Sequence, residues 1–150
     1  MRIGLLAAGL LACAAAQAQG PREPENFDQA VGWMYQKVEA AEQLASGCAK
    51  RFPDISDEIE ADRARWLAAD ARAIASAYAR FNELLGGDLE TLGKARAMIA
   101  EGVRKQFEAI DGNPGAEAFC SEWFETRANG DLRARHPRIY ELLENERPGE

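Results

Sequence analysis

Residues 27–48 read FDQAVGWMYQKVEAAEQLASGC, and the spacing of their apolar positions decides the fold. Phe27, Val31, Met34, Val38, Ala41, Ala45 and Cys48 alternate in steps of four and three. A backbone that turns once every 3.6 residues gathers such positions onto one stripe, whereas a strand scatters them over both faces. Asn26 precedes the first of them, with a side-chain oxygen suited to accept from a free N–H of the first turn. Gly47 lies near the end, and Pro53, which has no N–H, stops any continuation. The spacing predicts a helix whose buried stripe ends in a cysteine.

That cysteine needs a partner, and the chain offers Cys13 and Cys120. Cys13 falls in the first eighteen residues, which run from Arg2 through an apolar stretch, Ile3 to Ala16, to Ala16-Gln17-Ala18. A positive start, a short apolar run and a small-x-small end are the three parts of a secretory signal peptide. The run is shorter than the roughly twenty apolar residues of a membrane span. Cleavage is expected between Ala18 and Gln19, with no membrane span in the product. A rival reading is that Leu10-Leu11-Ala12-Cys13 resembles a lipoprotein cleavage box, in which Cys13 would carry a lipid anchor. On the signal-peptide reading the protein is periplasmic or secreted, and two thiols left in a small exported domain pair. A Cys48–Cys120 disulfide is the expectation; a pair of reactive thiols would need a setting such as C-x-x-C, which is absent.

Working outward, residues 19–26 combine Pro, Gly and charge without an apolar period and read as a flexible leader. A second helix is expected without interruption from Ser56 to Leu85, with Leu67, Ala71, Ile74, Tyr78, Phe81 and Leu85 on its apolar side. It is rich in alanine, and acidic residues at its start suit a helix N-terminus. Asp88 caps a third helix that carries Leu92, Ala95, Ile99, Val103 and Ile110. Gly93 and Gly102 inside it each cost up to about 1 kcal/mol against alanine, and their expected purpose is to admit another helix closely. Gly112-Asn113-Pro114 ends that helix and starts a fourth, Pro114 to Ala128, bearing Phe119, Cys120, Trp123 and Phe124. A short helix after Pro137 buries Ile139, Leu142 and Leu143, and residues 147–150 form a disordered tail. The expected fold is all-α: a small antiparallel bundle of three longer and two short helices over residues 27–146, with one disulfide.

Most catalytic chemistries lack their residues. One histidine, His136, is too few for a di-iron bundle or a Cys/His zinc site, and covalent haem needs C-x-x-C-H. There is no G-x-S-x-G and no phosphate loop. Glu122 lies among Phe119, Trp123 and Phe124, an environment able to raise a carboxyl pKa; the competing reading is a solvated side chain. No cofactor or metal is expected. The net charge is -7, and loss of Arg2 with the signal makes it -8. Such a chain repels nucleic-acid phosphate and anionic headgroups and attracts a basic protein.

Two features are candidates for an interaction surface. Trp33 and Trp66 fall just beside the apolar stripes, where they either widen the core or form an exposed patch. Asp54, Asp57, Glu58 and Asp62 either satisfy a helix dipole or dock a basic envelope protein. The function expected from these traits is an exported, periplasmic protein-binding or inhibitor/immunity-type domain with no catalysis of its own. A periplasmic chaperone or envelope-stress protein is the alternative, and a wall hydrolase using a carboxylate such as Glu122 is the third reading.

Overall fold

The computed structural model describes residues 23–145; the expected signal peptide, its cleavage site, Cys13, residues 19–22 of the leader and the tail lie outside them. Helix α1 spans Phe27–Arg51, and a 3-10 turn, Pro53–Ile55, leads into α2, Ser56–Ala69. Then follow α3, Ala71–Leu85; α4, Leu89–Ile110; α5, Ala116–Ala128; α6, Asp131–Arg135; and α7, Pro137–Asn145. The described residues contain no strand. Among the described residues the all-helical architecture stands, with seven helices where five were expected.

Helix α1 is the spine. The Asn26 side chain caps it, accepting from the Gln29 N–H at 3.0 Å. Its stripe serves two cores in succession. Val31 and Met34, with Ala30, pack against Ala73 and Ala77 of α3 and Ile139, Leu142 and Leu143 of α7. Ala41, Leu44, Ala45 and Cys48 pack with Ile59 and Trp66 of α2, Val103 and Phe107 of α4, and Cys120 and Phe124 of α5. The Cys48–Cys120 disulfide ties the C-terminal end of the spine to α5 across 72 residues of sequence.

The expected continuous helix over 56–85 is bent at Asp70, whose φ of -102° and ψ of 13° leave the helical region. The bonds from Asp70 N–H to Trp66 O and from Ile74 N–H to Asp70 O both persist at 3.0 Å, so the chain turns without unravelling. The bend divides the labour: α2 lies mainly on α5, and α3 on α1. Asp70 itself is buried at the bend, its carboxylate held by the donors described below.

The buried seam of α2 and α3 also differs from the expected stripe. It runs Ile59, Asp62, Trp66, Asp70, Ala73, Ala77, one position removed from Leu67, Ile74, Tyr78, Phe81 and Leu85, which are only half-buried; Ala71 is exposed. Two aspartates in the seam disguise it as polar. The fourth helix begins at Ala116 rather than Pro114: Asn113 Oδ1 accepts from Gly115 N–H at 2.8 Å, forming a turn before the helix. Helix α6 was not expected. It follows Gly130, whose φ of +84° is easily reached only by glycine.

Gly93 and Gly102 admit no neighbouring helix. Nothing lies within 4 Å of a Cβ built at either. The close approach is instead at Gly47, where a Cβ would collide with the Phe107 ring.

Candidate functional site

The expected surface candidates separate on folding. Trp66 is 1% exposed and Asp62 4%, so both belong to the α2 seam and not to a surface; the seam's register puts them there. The buried Asp62 carboxylate pairs with the exposed Arg65. Asp54, Asp57 and Glu58 are exposed at the start of α2, where the helix N-terminus favours negative charge. Trp33 is half-buried and reaches both cores, with His136 at 5.0 Å between ring centroids and the Lys37 ammonium 5.3 Å from its own. Glu122 lies on the exposed side of α5. No group of three or more potential metal ligands occurs among the described residues.

The densest polar network surrounds Asp70. Its Oδ2 accepts from the Trp66 indole at 2.8 Å and the Tyr140 hydroxyl at 2.6 Å, and its Oδ1 from Arg133 at 3.0 and 3.2 Å. Arg133 also donates to both oxygens of Glu144, at 2.7 and 3.0 Å, and lies over the Tyr140 ring. Every oxygen of the buried carboxylate is satisfied. A buried charge held by so many donors fixes geometry, here the bend and the docking of α6 and α7.

A second cluster has the opposite character. A groove of about 130 Å³ runs between α1, α4 and α5. Leu44, Ile99 and Val103 line its apolar side, all buried. Gly102 leaves its wall low, and Met98, 71% exposed, stands at its rim. Lys37 of α1 and Arg127 of α5 line the same groove, together with Gln36 and Gln106. The Arg127 guanidinium lies 3.2 Å above the Trp123 ring, one turn back on α5, and one of its amines donates to the Trp123 carbonyl at 2.8 Å.

Neither cation makes an ion pair among the described residues. Of the acids on the same helices, Glu39 is engaged by Arg96 and Tyr78, and Glu101 and Glu108 by Arg104, while Glu117, Glu122 and Glu125 of α5 are exposed and pair with neither cation. Arg127 Nε is buried without an acceptor. Burial, and then the charge of Arg135, push the Arg127 guanidinium down to about 10. Burial, with Arg127 nearby, also lowers the Lys37 ammonium from its ordinary value. Arg127 remains a cation at neutral pH, both groups sit where burial penalises their charge, and an anion entering the groove would relieve that penalty. In a chain of net charge -7 two such cations stand out from the acidic surface.

Composition gave no sign of this groove, because its residues come from three helices. The available signal was modest: Trp33 and Lys37, and Trp123 and Arg127, each lie four positions apart, the spacing that lays a cation over a ring on a helix. The chain matches no known protein-family model, no curated protein and no solved structure.

Proposed function

We propose that this chain is an exported protein-binding domain of the inhibitor or immunity type, without catalysis of its own, and that its binding face is the α1–α4–α5 groove. The observation that carries the reading is the Lys37–Arg127 pair: two partly buried cations that no acid among the described residues neutralises. Within one folded chain such an arrangement is costly, and it becomes favourable when a ligand supplies the missing charge. The apolar side of the groove, the low wall at Gly102 and the methionine at the rim provide the non-polar contact that a protein interface requires around a polar anchor. The Cys48–Cys120 disulfide supports the exported part of the reading, since such bonds persist in oxidising compartments. No helix among the described residues is long and apolar enough to cross a membrane.

Net charge favours a basic partner at long range, while the groove asks for one anionic group at contact. A basic envelope protein that presents a single acidic side chain meets both demands. Chemical cross-linking in intact producing cells, followed by mass spectrometry, tests the reading. A stoichiometric protein adduct is expected, and repeated recovery of the uncoupled chain alone would overturn it.

A further inference from the structure

We infer that the groove is a clamp for one carboxylate side chain, Glu or Asp, carried on an apolar segment of the partner and seated between Lys37 and Arg127. This inference rests on the binding reading above and adds the chemistry of the occupant.

The groove's size limits what enters. Small-molecule sites usually enclose about 300–1,000 Å³, and a cavity of about 150 Å³ holds a single benzene. At about 130 Å³ the groove suits one amino-acid side chain and not a cofactor. Its chemistry limits the occupant further. Arg127 is held flat on Trp123 and one of its amines is committed to a backbone carbonyl, so its remaining donors are pre-oriented. Lys37 stands on the facing helix as a second, compact charge. One carboxylate bridging the two replaces a like-charge repulsion with two charge-assisted hydrogen bonds. Gln36 and Gln106 offer amides beside it, and Leu44, Ile99 and Val103 receive the apolar flank. A polyanion fits poorly, because one carboxylate neutralises the site locally whereas a run of phosphates meets the field of a chain at -7.

Two-dimensional NMR of the isotope-labelled, disulfide-bonded chain tests the clamp with a capped synthetic peptide, Ala-Leu-Glu-Leu-Ala, and its Gln counterpart. The Glu peptide is expected to shift the Arg127 Nε–H and Gly102 amide signals, and the Gln peptide to leave them in place. Lys37→Met and Arg127→Lys should each weaken the Glu peptide by at least about 10-fold, as should raised salt. Gly102→Leu should block binding through bulk alone; nothing within 4 Å opposes the added Cβ, and an unchanged circular dichroism melt separates this block from a loss of fold. Equal shifts from both peptides, no shift from the Glu peptide, or tighter binding of a short polyphosphate would overturn the clamp. The two levels fail separately. If a partner cross-linked in cells is still captured by a Lys37→Met, Arg127→Met chain, the clamp falls and the binding reading stands. If the Glu peptide binds as described but no partner is ever captured, the binding reading falls instead.

Discussion

The hydroxyl of Tyr140 donates to the carboxylate of Asp70 at 2.6 Å, across 70 residues of sequence, and so joins α7 to the bend between α2 and α3. With the Trp66 indole and Arg133 on the same carboxylate, that bend is where α2, α3, α6 and α7 meet. The two cores on α1 depend on it, since the bend sends α2 to one and α3 to the other.

Asp70→Ala should therefore be among the most damaging single changes. It strands a buried indole N–H, a buried hydroxyl and a guanidinium at once, and removing one member of such a network costs about 3–5 kcal/mol. Urea denaturation followed by circular dichroism reads this directly. A loss below about 1 kcal/mol would show that the carboxylate does not organise the bend.

Alkaline pH provides a second measurement. Burial, and then the hydrogen bond to Asp70, raise the Tyr140 phenol above its ordinary range; burial and Glu39 do the same for Tyr78. A raised phenol pKa means that the folded state favours the neutral form. Its contribution is complete below the unfolded value, about 10, and fades as pH climbs past it, because the unfolded chain then ionises first. Stability should fall above about pH 10, and Tyr140→Phe, although less stable at neutral pH, should show a shallower fall. Denaturation midpoints collected from about pH 8 to about pH 11 would show an unchanged slope if Tyr140 does not contribute.

The disulfide closes a long loop, with its cysteines 72 residues apart. In the chain-entropy description such a closure stabilises the fold by about 4 kcal/mol, most of it by restricting the unfolded chain. The double variant Cys48→Ala, Cys120→Ala should lose about this much and remain helical, because the apolar seams do not depend on the bond. Comparing its urea midpoint with that of the oxidised chain, with and without reductant, checks the figure.

Glycine substitutions separate the expected close approach from the observed one. Gly47→Ala places a methyl against the Phe107 ring inside the core, so it should destabilise by about 1–3 kcal/mol despite its better helix propensity. Gly102→Ala meets open space and should stabilise by up to about 1 kcal/mol. Thermal midpoints moving in opposite directions are the expected result.

How far the sequence revealed the fold depends on what each residue buries. The stripe of α1 was legible because its seam is apolar throughout, and the caps at Asn26 and Asp88 because each side chain answers a local backbone need. The cysteine pair was legible by elimination. The seam of α2 was not, since Asp62 and Asp70 occupy it and periodicity counts an acid as solvent-facing. Only tertiary donors, Arg133 and Tyr140 among them, make Asp70 at home inside. The groove was hidden for a related reason: Lys37 and Arg127 are ordinary surface residues until three helices bring them together.

The most direct measurement is site-specific photo-cross-linking in intact cells from two exposed positions, Met98 at the rim of the groove and Asp57 at the acidic start of α2. A photoreactive side chain at Met98 is expected to give one discrete protein adduct that disappears when Lys37→Met is added, with position 57 silent. An adduct from position 57 and none from Met98 would contradict the groove as the binding face.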